Sequence, residues 1–530
     1  MSGLKNLLFS KKTRKILLGS AIATGCIYQY NSSSSVGSIN QINNNSNNNN
    51  NNNETNQKKE KMGILGNILF NIRNTKANNV LLCEVKSQPD LMNPSSSEEE
   101  EREQTPLWKQ DSYVPGASTT LNAEEQRDIA SREVVSWMSQ QLIPGVSVCA
   151  MVRGDTVFKA GFGYADVENA IPVTPDTKMR IASISKALTS AAVGLLIEDG
   201  KLDVDATVQT YVPEFPINPA YPETAPTVRQ VASHIGGIRH YRRGATTEIF
   251  SVQQYVSDAV RDNPDKLPPP LAIFVSDPWI DADKSAPGQT YNYSTFGYTL
   301  IGTIIERAAK TDFISFMKNR VFQRCGMYDT YADQHNTIIS NRSRQYALTG
   351  GKNTNNRYSS TGVSVNPQLV NAELANNSYK YAGGGILSTS QDICRFGTYI
   401  ISGQLLKRST LDIIFHTQQT NNGKPTDYAI GWSVKPNHQI KNRQIVGDIN
   451  PIDNTSTRRV TDTLDNKIIY HTGAAVGGSS IIVVVPKYGV VVCVLANLEG
   501  VKGIIEFGTK LANIFVPKGD QQQQQKITEI

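Results

Sequence analysis

The six cysteines of this chain form no Cys-x-x-Cys pair and no zinc-like spacing with its six histidines. Cys149 and Cys493 stand inside the apolar runs VSVCAMV and VVVCVLAN, where a free thiol serves as a small hydrophobe, and Cys26, Cys83, Cys325 and Cys394 are scattered. A disulfide-framed secreted domain and a zinc site are both disfavoured. Basic blocks are absent outside the N-terminus, and a net charge of +6 over 530 residues is small. The short cluster Arg239, His240, Tyr241, Arg242, Arg243 reads as a solvated loop, so nucleic acid is not an expected partner. No lysine-containing phosphate loop follows Gly383 to Gly385, which read as a backbone turn. No repeat is visible, and no metal or cofactor is called for. No acidic residue precedes Glu54, while Lys5, Lys11, Lys12, Arg14 and Lys15 lead into the apolar stretch Ile16 to Tyr28. That stretch is shorter than the ~20 residues of a spanning helix. Residues 1–30 therefore read as a mitochondrial targeting segment, with a signal peptide or weak membrane anchor as the alternatives.

What is present divides the chain. Residues 31–121 are low-complexity, with an Asn run at Asn43 to Asn53 and acidic residues Glu98 to Glu103, interrupted by an amphipathic piece at 62–72. Residues 516–530 carry a Gln-rich tail. The folded body, 122–515, opens on Asn122 and Glu125, a capping-box pair for a helix to about Gln141. Two β-rich runs around Arg153-Gly154-Asp155 read as a hairpin. Asp427 to Val434, Lys467 to Thr472, Ser479 to Val485 and Val490 to Leu495 are further strand candidates, and Val501 to Phe515 is a closing helix. Helix signals and Gly/Pro loops fill Leu202 to about Thr420, and 435–466 reads as an insertion. The pattern is α+β: an antiparallel sheet flanked by helices, plus an all-α lobe, with the active site expected where the lobes meet.

One segment carries chemistry. Ser183-x-x-Lys186 places a hydroxyl and an amine on one face of a helix, about 5–6 Å apart at Cβ. Serine is a weak nucleophile until a base takes its proton, and a helix N-terminus favours a developing oxyanion. The motif alone is weak, expected about twice by chance in such a chain, and Ser315-x-x-Lys318 also matches. Surroundings separate them. Ser315 lies on an amphipathic helix whose lysine faces water, whereas Lys186 precedes Ala187 to Ile197, which holds no charge. A helix apolar on all sides is buried, and a buried ammonium tends to lose its proton.

Residues 142–190, VRQVASHIGGI, APGQTYNYSTFGYTLIGTIIE, AGGGILSTSQDICRFG, DYAIGWSV and HTGAAVGGSS follow one another along the chain. In this order they resemble the serine β-lactamase and penicillin-binding-protein family, the superfamily of class C β-lactamases and D-Ala-D-Ala carboxypeptidases. The resemblance covers about 122–515 and is nearest to the mitochondrial serine β-lactamase-like branch. It implies Ser183 as nucleophile, Lys186 as the group that takes or relays its proton, and Tyr293 as a second acid/base. It implies His471-Thr472-Gly473 on an edge strand beside the site, open to an extended peptide, and an oxyanion hole from the N–H groups of Ser183 and Ala474. Two departures matter. Thr295 stands for an asparagine whose amide contacts the lysine and the substrate in relatives. His471 stands for a lysine and attracts a carboxylate poorly. His234 reads as a helix-end hydrogen-bonding residue.

The function expected is a serine hydrolase forming a Ser183 acyl-enzyme, a serine-type peptidase in the mitochondrial intermembrane space and tied to lipid metabolism as the resemblance implies. Peptides or esters are its expected substrates. The alternatives are an esterase on the same fold or a filament-forming scaffold with little catalysis.

Overall fold

The computed structural model describes residues 122–241, 278–279, 286–349, 367–436, 464 and 467–517. The expected targeting segment, the low-complexity region with its amphipathic piece, Arg242, Arg243, nearly all of the 435–466 insertion and the Gln-rich run lie outside them. Among the described residues no helix is long and apolar enough to cross a membrane.

The capping pair forms as read. Glu125 N–H donates to Asn122 Oδ1 and Asn122 N–H to Glu125 Oε2, each at 2.8 Å, opening helix α1, Ala123–Gln141. Its buried residues Ala130, Val134, Trp137 and Met138 follow helical spacing. Strands β1, Gly145–Val152, and β2, Asp155–Asp166, follow. Arg153 and Gly154 join them with φ of 54° and 98°, the positive pair of a two-residue hairpin turn. Next come β3 (Ile171–Pro172), β4 (Met179–Arg180) and helix α2 (Ile184–Glu198).

The middle of the chain carries α3 (Val228–Ala232), α4 (Thr295–Ala309) and α5 (Phe313–Phe316), which continues as a π-helical turn, Met317–Phe322. Short strands interleave with helices after it: β5 (Tyr331–Ala332), β6 (Tyr346–Thr349), β7 (Gln368–Asn371), α6 (Tyr381–Gly384), β8 (Ile386–Ser388), α7 (Ser390–Ile401) and α8 (Arg408–Ile414). The C-terminal part supplies β9 (Ser433–Pro436), β10 (Lys467–Ala475), β11 (Gly478–Val485), β12 (Val490–Ala496) and α9 (Ile504–Phe515).

The main sheet has seven strands in the order β3-β2-β1-β12-β11-β10-β9, paired antiparallel throughout. Its centre joins the two ends of the described chain, with Cys149 of β1 opposite Cys493 of β12. Both central strands are buried on both faces, which explains their unbroken apolar runs. On one face α1 and α9 pack together, Trp137 stacking on Phe507 at 4.1 Å between centroids. On the other face lies α7, whose Cys394 thiol donates to the Cys149 carbonyl at 3.2 Å, with α2 and the helical region beyond. The four described cysteines are all free.

One element differs from its sequence reading. Asp427 to Val434 reads as a strand, yet extended structure begins only at Ser433. Asp427 and Gly431 have φ of 53° and 77°, bending the segment into a loop clamped on α2. A β-carbon at Gly431 would lie 2.5 Å from the Lys186 carbonyl oxygen. The helical region is also more mixed than its composition suggests, since β4-β8-β5 and β6-β7 form small sheets within it.

Candidate active site

The chain reaches Ser183 through Ala182, whose φ of 48° is left-handed and unfavourable for any residue with a β-carbon. The neighbouring strands hold that conformation. Ser480 of β11 donates its hydroxyl to the Ile181 carbonyl at 2.7 Å. Gly473 of β10 lies so close that a β-carbon there would collide with Ser480 Oγ and the Ile181 carbonyl, and would sit 3.0 Å from Ala182 Cβ. The sheet thus presses against the turn that opens α2, and Ser183, half-buried, stands at that helix's N-cap.

One turn later, Lys186 has 0% of its surface exposed. Its Nζ lies 3.0 Å from Ser183 Oγ, 3.2 Å from Thr295 Oγ1 and 2.6 Å from the Gly383 carbonyl oxygen. The rings of Tyr293 and Tyr298 have their centroids 4.8 and 5.4 Å from it. No ion pair of Lys186 with a carboxylate is present among the described residues. Burial, with a smaller push from the charge of Lys380, drives its pKa well below that of an ordinary lysine. A neutral amine satisfies the geometry fully. Such an amine donates to Gly383 and Thr295 and keeps its lone pair for the Ser183 hydroxyl proton.

Tyr293, just before α4, is half-buried, and burial raises its phenol pKa while interaction with Ser183 opposes the rise. The structure therefore brings Ser183, Lys186, Tyr293 and Thr295 together. Thr295 departs from the sequence expectation: the side chain that replaces the asparagine is buried and still contacts the lysine through its hydroxyl.

His471 corrects a second expectation. The sequence grouped it with the substrate contacts, yet its ring is buried and engaged on both nitrogens. Nδ1–H donates to the Thr472 carbonyl at 2.6 Å, which leaves Nε2 to accept from the Tyr428 hydroxyl at 2.9 Å. Burial above all lowers its pKa to about 3, so the ring stays neutral. It ties Tyr428 to β10. The strand itself is an edge only in part. β9 pairs with Lys467 to Tyr470, while His471 to Ala475 pair with β11 alone. Ala474, on this open stretch, is exposed.

The second Ser-x-x-Lys sits elsewhere. Ser315 N–H donates to Asp312 Oδ1 at 2.9 Å at the start of α5, and Lys318 is exposed. His234 is the helix-end hydrogen-bonding residue the sequence suggested, whereas the Gly383 carbonyl, Tyr428 and the His240 ring were missed. The Ala-Gly-Gly-Gly run was the available signal, because a β-carbon at Gly383 would lie 2.7 Å from Thr295 Cγ2. Among the described residues no cluster of His, Cys, Asp and Glu could hold a metal ion.

The sequence pattern of the family described as Beta-lactamase matches residues 123–506. The chain belongs to the β-lactamase family. The serine beta-lactamase-like protein LACTB, mitochondrial, of Homo sapiens is 29% identical over 468 residues, spanning 72% of this chain and 78% of its own. Its Mus musculus counterpart is 28% identical over 501 residues, spanning 77% and 84%. Among solved structures, an octameric penicillin-binding protein homologue from Pyrococcus abyssi superposes with a TM-score of 0.52 at 21% identity, covering 72% of this chain and 75% of that one. A class C β-lactamase gives a TM-score of 0.53 at 17% identity, covering 75% and 98%. The fold is that of β-lactamases and penicillin-binding proteins, and family membership makes the chain one of the β-lactamase-like serine hydrolases.

Proposed function

We propose that this β-lactamase-family chain is a serine-type peptidase acting through an acyl-enzyme on Ser183. The observation that carries the reading is a buried amine, without a carboxylate partner among the described residues, 3.0 Å from the serine hydroxyl. Lys186 takes the hydroxyl proton as Oγ bonds to the acyl carbon. The carbonyl oxygen becomes an oxyanion held by the N–H groups of Ser183 and Ala474. Collapse of that intermediate breaks the bond to the leaving group, and Tyr293 passes it a proton. Water then repeats the sequence and frees the acid. An extended substrate lies along the open stretch from His471 to Ala475, taking the place of a further strand.

The absence of a cation at His471 favours a peptide or ester over a β-lactam or a D-Ala-D-Ala terminus. Residence in the mitochondrion follows the naming of the human and mouse relatives, and a tie to lipid metabolism rests on the resemblance. Labelling with a fluorophosphonate probe tests the assignment: wild type and Ser183→Ala differ completely, while Ser315→Ala labels like wild type. Equal labelling of all three contradicts it. Amide and ester panels at matched concentration then separate peptidase from esterase, because ester turnover without peptide cleavage removes the peptidase reading.

A further inference from the structure

We propose that His234 and His240 are positioning residues that hold Tyr293 in place for proton delivery to the leaving group; this rests on the hydrolase reading above. The two imidazoles hold the backbone just after the phenol, and the His234 carbonyl holds it just before. Asn292 N–H donates to the His234 carbonyl at 2.7 Å. Ser294 N–H donates to His234 Nδ1 at 3.2 Å, and Thr295 N–H donates to His240 Nδ1 at 3.1 Å. Three amides around Tyr293, at 292, 294 and 295, thus end on these two histidines.

The rings also flank the phenol. The centroid of His234 lies 4.3 Å from that of Tyr293, and His240 is 6.4 Å from it. An amide donating to Nδ1 requires a lone pair there, so each ring is neutral with its proton on Nε2. For His234 burial enforces this, pushing its pKa well below that of an ordinary histidine.

His234 keeps this arrangement against local preference. Its φ of 65° is left-handed, its buried Nε2 has no hydrogen-bond partner among the described residues, and its ring packs among those of Tyr291, Tyr298 and Tyr428. Strain and an unsatisfied donor at one residue persist where the surroundings over-determine it, and such residues cluster at functional sites. The grip reaches the lysine as well. Thr295, whose N–H is held by His240, contacts Lys186 Nζ through its hydroxyl. A slack segment would therefore move the phenol and the lysine's partner together.

The test compares p-nitrophenyl butyrate with ethyl butyrate. The first leaves as a stable phenolate and needs no proton, whereas the second leaves as an alkoxide and does. His240→Phe and His234→Leu should lower kcat/KM on the ethyl ester about tenfold or more beyond any loss on the p-nitrophenyl ester, the scale of misplaced acid catalysis. His240→Asn and His234→Asn should restore most of it, because Oδ1 takes the place of Nδ1 and asparagine tolerates positive φ. If His234→Leu does not fold, the His240 pair and His234→Asn carry the comparison. Equal losses on the two esters, or asparagine variants no better than the apolar ones, overturn the inference while leaving the hydrolase reading intact. Wild type that hydrolyses neither ester and resists fluorophosphonate overturns both.

Discussion

The carbonyl oxygen of Gly383 accepts from Lys186 Nζ at 2.6 Å, the shortest of the three contacts that fix this amine. It is a backbone dipole, so it orients the nitrogen without supplying the negative charge that would keep an ammonium protonated. Basicity and position are set by separate groups.

Gly383→Ala should separate fold from chemistry. The added carbon would lie 2.7 Å from Thr295 Cγ2 and 3.0 Å from the Thr295 carbonyl oxygen, so α6 or α4 must shift. Overpacking of this kind costs about 1–3 kcal/mol. Ester turnover should fall at least about tenfold through the displaced carbonyl, with the circular dichroism spectrum unchanged.

Lys186→Met should abolish turnover, a loss of about 10²–10⁴ or more for a missing general base. It should not lower the melting temperature, because an apolar side chain of similar length replaces a buried amine that has no counter-charge. Calorimetry on wild type and variant checks this.

The pH dependence has a definite sign. Because the pKa of Lys186 is lowered on folding, the unfolded chain binds this proton at pH values where the folded chain does not. The associated stability is fully present above the unfolded pKa and is lost as pH falls through the folded one. Activity should fall in the same direction, as protonation removes the lone pair. In Lys186→Met the thermal midpoint should vary less with pH between those two pKa values.

His471→Lys should fail to create a β-lactamase. The position is buried and its ring is held by Tyr428, so an ammonium there is desolvated and destabilises the fold. A lowered melting temperature without nitrocefin hydrolysis is the expected result.

Much of the fold was legible because its signals are local. The Asn122 and Glu125 box, the Arg153-Gly154 turn and the apolar runs of β1, β11 and β12 each determine their own conformation. The uncharged stretch after Lys186 also told it apart from Lys318, since charge next to an amine reports burial. His234 was legible as a hydrogen-bonding residue at a helix end, but its partner Ser294 was not, nor were the Gly383 carbonyl, the Tyr428 bond to His471 and the His240 ring on the Thr295 amide. Each joins residues far apart in the chain, and a backbone partner leaves no side-chain signature. Asp427 to Val434 misled for a related reason: its β-rich residues serve a loop whose course is set by contact with α2.

The most direct measurement is a ¹³Cε titration of Lys186 by NMR in lysine-labelled protein, with Lys186→Met identifying the resonance. The account predicts a midpoint well below the ordinary lysine value of about 10.4, moving up to it in urea-unfolded protein. A resonance titrating at the ordinary value in the folded protein would contradict it.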